Sequence, residues 1–231
     1  MITLHQFEIS PFCDKIRRVL HWKRQPYEIR EVPLSQAFTS VRKVNRIGKL
    51  PCLEIDGRFV ADSTDIAHLL EERFPDPPLL PKDPKQRALC HVLEDWADES
   101  LYFYEMRLRF GIRHNAEKWI PILAAHDPPW MKRVAGFAVP FLMRRTLSAQ
   151  GLGRKPDAMV VADLERHLAA LGALLAGSQW LVGDALTLAD IAVFAQLYCV
   201  RGAREGAERI EASRPLAEWM ERVDRATAPP A

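Results

Sequence analysis

Ser10-Pro11-Phe12-Cys13 is the first run in the chain whose residue types and order could do chemistry. Serine is a favoured helix N-cap and proline a favoured first helical residue, so the run reads as a helix start. An opening helical turn leaves backbone N–H groups unpartnered, and these, together with the Ser10 hydroxyl, can receive an anion. A plain helix start is the competing reading of the same four residues. Asp62-Ser63 begins a second helix and Thr187 a third, with Asp190 placed as the third-position partner of a capping box. The Thr187–Asp190 pair is read as structural. Cys13, Cys52, Cys90 and Cys199 are widely spaced, with no Cys-x-x-Cys pair and no histidine spacing suited to zinc. Free thiols in a reducing, cytoplasmic compartment and no bound metal are the expectation.

These residues need elements to position them. Ile2 to Phe7 reads as a strand, and a helix follows from Pro11 with Phe12, Ile16, Val19 and Leu20 on one face. Pro26 ends that region, and Tyr27, Ile29 and Val32 suggest a second strand. Residues 52–55 and 58–61 flank Asp56-Gly57, a strong hairpin signal because Asp-Gly adopts the positive φ angles of a two-residue turn. A helix over 63–74 points Ile66, Leu69, Leu70 and Phe74 at a core until Pro75 stops it. The order is β-α-β, a linking segment, then β-β-α.

A proline-rich stretch from Pro75 to Pro84 marks a boundary. Residues 1–77 are expected to form one domain, 78–83 a linker and 84–231 an all-helical domain. Leu89, Leu93 and Trp96 open a long helix that can run on to Phe110. Leu164, Leu168, Leu171 and Leu175 form another stripe, Ile191, Phe194 and Ala195 a third, and Met220 and Val223 belong to a last short helix. Between them, Trp119, Ile122 and Leu123 suggest a helix, Asp127-Pro128-Pro129 breaks it, and 135–147 suggests another. A net charge of +2 argues against a dedicated nucleic-acid binder. The longest apolar run in the middle, Val134 to Met143, is too short to span a bilayer and contains Pro140, and no signal peptide is visible, so no membrane partner is expected.

Strand, Ser-Pro-Phe-Cys, helix, strand, Gly48-Lys49-Leu50-Pro51, hairpin and Asp62-Ser63 in this order resembles the cytosolic glutathione transferase superfamily. Thr187-Leu188-Ala189-Asp190, after Trp180-Leu181-Val182-Gly183-Asp184, resembles that family's second-domain folding signature. The resemblance covers residues 1–110 and 155–225, and 111–154 match no pattern of the family. It implies an α/β plus all-α fold, a thioredoxin-like βαβ-ββα domain followed by a helical bundle.

The resemblance also implies roles. Ser10 would donate its hydroxyl hydrogen to the sulfur of glutathione, with Phe12 beside it. Leu50-Pro51, at a cis peptide bond, would pair with the cysteinyl backbone. Asp62 would meet the γ-glutamyl ammonium, and Ser63 its carboxylate. Lys49, or equally Arg42 or Lys43, would reach a glutathione carboxylate. Tyr104 and Arg107 are candidates for contacting the second substrate. Cys13 stands where a thioredoxin-like fold carries its resolving cysteine, but Ser10 replaces the nucleophilic one, which favours a buried apolar role. Attack of glutathione thiolate on a small hydrophobic electrophile, in a homodimer, is the activity implied. A glutathione-dependent disulfide or peroxide oxidoreductase, or a non-catalytic adaptor on the same fold, are the alternatives.

Overall fold

The computed structural model describes residues 1–37, 41–45 and 47–228, and the side chains of Ala37, Lys43 and Val44 lie outside that description. Four strands form one sheet in the order β2-β1-β3-β4. β1 (Ile2–Gln6) runs parallel to β2 (Glu28–Glu31) and antiparallel to β3 (Cys52–Ile55), which pairs with β4 (Arg58–Ala61). The β3–β4 turn takes Asp56 at φ 49° and Gly57 at φ 75°, the paired positive angles that the Asp-Gly signal demands.

α1 (Pro11–Trp22) makes the parallel crossover from β1 to β2, and α4 (Ser63–Arg73) follows β4. The segment expected only to link β2 to β3 contains two single-turn helices, α2 (Leu34–Ala37) and α3 (Val41–Val44). Ile16, Val19 and Leu20 of α1 are fully buried, and Arg18 of α1 lies 4.1 Å from the Phe194 ring. Arg18 also donates to Asp14, Thr227 and Asp224 at 2.7, 3.0 and 2.8 Å, tying the chain's first helix to its last.

Beyond the prolines, α5 (Pro84–Trp96) continues through π-helical Ala97–Leu101, α6 (Tyr102–Met106) and π-helical Arg107–Gly111. The expected stripe on α5 is displaced by one position. Leu89 is exposed and Leu93 only half-buried, while Cys90, Glu94 and Ala97 face inward. A buried cation, described below, draws Glu94 in. α7 (Arg113–Leu123) and α8 (Pro129–Gln150) form a hairpin with its own small core of Ala116, Ile120, Ala124, Ala135 and Val139. α9 (Asp157–Leu174), α10 (Leu188–Arg201), α11 (Arg204–Ala212) and α12 (Arg214–Thr227) complete the bundle, and α12 is longer than its two sequence markers suggest. One continuous core runs from Ile2 to Val223.

His167 of α9 is wedged between Trp96 and Tyr104, its ring centroid 5.5 and 5.1 Å from theirs. Burial lowers its pKa below the ordinary 6.5, against the pull of Asp163. The folded state therefore binds the proton less well than the unfolded chain. This contribution to stability is complete above pH 6.5 and is lost as pH falls from there through the folded-state pKa. We expect thermal melts of His167→Gln to lack a component of the acid destabilisation seen in the parent between about pH 7 and pH 5. Identical pH slopes for the two proteins would refute the assignment.

Candidate functional site

Sheet register brings the chemistry-bearing residues to one edge. His5 is opposite Cys52, and Cys52 is opposite Ala61. The end of β1, the start of β3 and the end of β4 therefore lie side by side. Ser10, Leu50-Pro51 and Asp62-Ser63 are the residues that leave or enter the sheet there, so two helices, α1 and α4, begin at the same edge.

Ser10 is the N-cap of α1, with extended backbone (φ −79°, ψ 128°), and its Oγ accepts the Cys13 N–H at 3.5 Å. Acting as an acceptor there leaves the hydroxyl hydrogen to donate, with the weakly accepting Cys13 sulfur as its neighbour within the chain. The carbonyl of Ile9, one residue earlier, is fixed by Arg109, whose two terminal nitrogens each donate at 3.3 Å, and by the Cys199 thiol at 3.8 Å. Arg109 is buried beneath Trp119, 4.1 Å from its ring, and also pairs with Glu105 at 3.2 Å. Phe12 packs on Tyr102, ring centroids 4.8 Å apart. The loop leading into α1 is thus clamped from the helical bundle.

Burial pushes the Cys13 thiol up to about 11, and the lowering by the Phe7 N–H and Ser10 does not offset it. Cys13 is a protonated, packed side chain at neutral pH.

The Leu50-Pro51 peptide bond is cis. Asn45, itself buried, shapes the loop before it. Its side-chain nitrogen donates to the Lys49 carbonyl at 2.6 Å and its oxygen accepts from the N–H groups of Ile47 and Gly48. Gly48 has φ 70°, and a side chain on it would collide with Arg42, whose Cγ would be 2.9 Å from the added carbon. Arg42 and Lys49 are both exposed on this loop.

Asp62 takes φ 78°, a backbone region that non-glycine residues seldom adopt and that costs about 1–3 kcal/mol. Its carboxylate accepts the Thr64 N–H at 2.9 Å and so caps α4. Ser63 is buried, and its hydroxyl is already engaged. It accepts from Lys15 Nζ at 3.3 Å and donates to Asp98 at 3.2 Å. What Ser63 retains for an incoming anion is its backbone N–H at the first turn of α4.

Lys15 is the residue that sequence reasoning missed here. It is 1% exposed, with its ammonium between Glu94 (2.5 Å) and Asp98 (2.6 Å) and also touching Thr64. Burial alone would lower the lysine pKa, but Asp98 and Glu94 outweigh it and the net shift is upward. Burial pushes the Asp98 carboxyl up despite Lys15. A lysine standing between Phe12 and Val19 on an otherwise apolar helical face, with Glu94 and Asp98 four apart on the long helix that α5 opens, was the available signal.

Tyr104 and Arg107 are not brought to this edge. Tyr104 is turned to His167, and Arg107 pairs with Asp157 at the start of α9. Tyr102 and Arg109, two positions from each, are the ones that reach Phe12 and Ile9. Ser10 instead opens on a cavity of about 860 Å³, with Arg109, Trp119, His126 and Tyr198 among its walls. Trp119 is held there by its indole N–H, which donates to the Gly202 carbonyl at 3.0 Å. Asp127 joins the α7–α8 hairpin to the first half of the chain, accepting the N–H groups of Leu34 and Ser35, each at 2.9 Å.

Comparison with known proteins gives the same outline. Residues 4–78 match the family model of the glutathione S-transferase N-terminal domain, and residues 117–222 that of the C-terminal domain. A probable maleylacetoacetate isomerase of Caenorhabditis elegans is 38% identical over 93 residues, 39% of this chain and 44% of that protein. The chain thus spans less than half the length of that relative. FtsZ-localized protein A of Caulobacter vibrioides is 28% identical over 202 residues, 84% of this chain and 75% of its own. A solved glutathione S-transferase of Methylobacterium radiotolerans, in complex with glutathione sulfonate, superposes with a TM-score of 0.66 at 25% identity, covering 100% of this chain and 95% of that one.

Proposed function

Since the chain belongs to the glutathione S-transferase superfamily, with its thioredoxin-like and helical parts in that order, we propose that it binds glutathione at the shared edge of β1, β3 and β4 and activates it as the thiolate. The observation that carries this reading is the Ser10 hydroxyl capping α1 at the sheet edge where Leu50-Pro51 enters β3 and α4 begins after β4.

A free thiol has a pKa of about 8.5 and is mostly protonated at neutral pH. The α1 N-terminus stabilises an adjacent anion by about 0.3–1 kcal/mol. A hydrogen bond from Ser10 to the charged sulfur adds about 1.5–3 kcal/mol. At 1.36 kcal/mol per unit, the two lower the thiol pKa by about two units. No general base is needed. Leu50 offers its backbone to the cysteinyl unit, and the Ser63 N–H receives the γ-glutamyl carboxylate. Asp62 meets the ammonium, and Lys49 or Arg42 the glycyl carboxylate. Arg109 and Trp119, in place of Tyr104 and Arg107, border the cavity on which Ser10 opens, the space for a small hydrophobic electrophile.

Disulfide or peroxide reduction on this site would run through the glutathione thiol alone, because Cys13 is buried and protonated. A second reading, a non-catalytic adaptor, is favoured by the long alignment with FtsZ-localized protein A, whose name records a location and no chemistry. The division at 1–77, 78–83 and 84–231, a homodimer, a detoxifying role and a cytoplasmic setting belong to the same proposal. Buried free thiols at all four cysteines support the last.

Calorimetric titration with glutathione decides between enzyme and adaptor. The transferase reading expects saturable binding below millimolar ligand. Ser10→Ala should keep that binding within a few-fold while losing about 10- to 150-fold in conjugation of a model electrophile, the rate equivalent of one hydrogen bond to a charged group. Absence of heat and of thermal stabilisation at millimolar glutathione would favour the adaptor.

A further inference from the structure

One face of α8 carries an apolar row left largely exposed, its Phe137 and Phe141 also rimming the groove toward Phe110 and Ile120. Trp130, Val134, Phe137 and Phe141 follow one another at i, i+4, i+7 and i+11, which places them on a single helical stripe. They are 63%, 47%, 84% and 61% exposed. The opposite face, with Ala135 and Val139, is buried against α7, so the row cannot turn inward. At about 100° per residue, Arg133 and Arg144 fall along one margin of the stripe and Arg145 along the other.

Charge on this helix is of one sign. Pro129–Gln150 contains Lys132, Arg133, Arg144 and Arg145 and no Asp or Glu. The helix alone is therefore +4, against +2 for the whole chain. None of the four cations makes an ion pair among the described residues, whereas Arg113 on the neighbouring helix α7 is paired with Glu117. A second copy laid on the stripe would set both sets of arginines against each other, which disfavours self-association. Glu117 of α7 is the one acid lining the adjoining groove among the described residues. An apolar stripe of aromatic rings bordered on its own helix only by cations, with tryptophan at one end, matches a surface that is apolar beneath and anionic above.

We propose that α8 is a docking surface for an anionic lipid bilayer. The helix lies in the plane of the interface, with Phe137 and Phe141 entering the headgroup boundary and Arg133, Arg144 and Arg145 meeting lipid phosphates. Contact of this kind needs no spanning segment, and among the described residues no helix is long and apolar enough to be one. It departs from the sequence expectation that no membrane takes part. It is independent of glutathione, because the stripe shares no residue with the Ser10 edge.

The test is co-sedimentation of the full chain with vesicles of equal parts phosphatidylglycerol and phosphatidylcholine, and with phosphatidylcholine alone. Binding should be at least about tenfold stronger to the anionic vesicles and should weaken as salt is added. Phe137→Ser/Phe141→Ser and, separately, Arg133→Gln/Arg144→Gln/Arg145→Gln should each reduce it about tenfold or more. All these side chains are exposed on α8, so thermal melts and the glutathione titration should stay unchanged. Failure to bind, equal binding to both vesicle types, or indifference to both variants would overturn the proposal. So would a lipid-free mass that halves in Phe137→Ser/Phe141→Ser, since a second copy would then be the cover.

Discussion

Lys15→Met is expected to lose about 3–5 kcal/mol of folding stability, measured by urea titration at neutral pH. Methionine fills most of the lysine volume, so the loss comes from charge and not from a cavity. Glu94 and Asp98, 2% and 8% exposed, would be left together without a cation, and Ser63 and Thr64 would lose a donor. With total stability of about 5–15 kcal/mol for a domain of ordinary size, that is enough to unfold much of the population at moderate temperature. The effect should shrink in acid, where the abandoned carboxylates take up protons. Lys15→Met/Glu94→Gln/Asp98→Asn, which removes the buried charges together, should recover a large part of it. A loss below about 1 kcal/mol in the single variant would mean that the lysine is solvated and that the cluster does not hold α1 against α4.

Asp190→Ala is expected to be as damaging, for a reason that involves no counter-charge. The carboxylate is fully buried and accepts four hydrogen bonds. They come from the Leu181 N–H, the Thr187 N–H, the Thr187 hydroxyl and the Trp219 indole, all at 2.8 to 2.9 Å. Each donor stranded without an acceptor costs about 1–3 kcal/mol, so a total of about 4 kcal/mol or more is expected. Asp190→Asn keeps one carbonyl acceptor and should lose less. Trp219 reports locally, since its indole N–H is one of the four, and its fluorescence should shift in both variants. Thr187→Ala, which removes only the hydroxyl donor and the cap, should cost about 1 kcal/mol. If Asp190→Ala melted within a few degrees of the parent, the start of α10 would have to be held by something other than this carboxylate.

The outline of the fold was legible because its signals are local. Asp56-Gly57 fixes a turn whatever surrounds it, Ser10-Pro11 starts a helix, and the prolines after Phe74 stop one. The Thr187–Asp190 spacing identified a cap, but three residues of sequence could not disclose that Leu181 and Trp219 donate to the same carboxylate. That knowledge needs the packing of α12 on α10. The candidate site divides in the same way. Ser10, Pro51 and Asp62 were readable as element boundaries, and the sheet register then sets them side by side. Tyr104 and Arg107 lie on the expected helix but turn away from the Ser10 edge, toward His167 and Asp157. Two π-helical stretches, at Ala97–Leu101 and Arg107–Gly111, shift the helical phase, so counting by 3.6 misplaces the face that meets α1. Lys15 escaped notice because a charged residue on an apolar face has meaning only once its partners, 79 and 83 positions away, are known.

A bound sulfur within reach of the α1 cap is the claim on which the functional reading rests, and its acidity can be read directly. Ultraviolet absorbance of the thiolate, followed against pH in the presence of saturating glutathione, gives the pKa of the bound thiol. The account predicts a value about two units below that of free glutathione in the parent, and a return most of the way in Ser10→Ala with glutathione still bound. A bound thiol that titrates like the free one, or a depressed value that survives loss of the Ser10 hydroxyl, would contradict it.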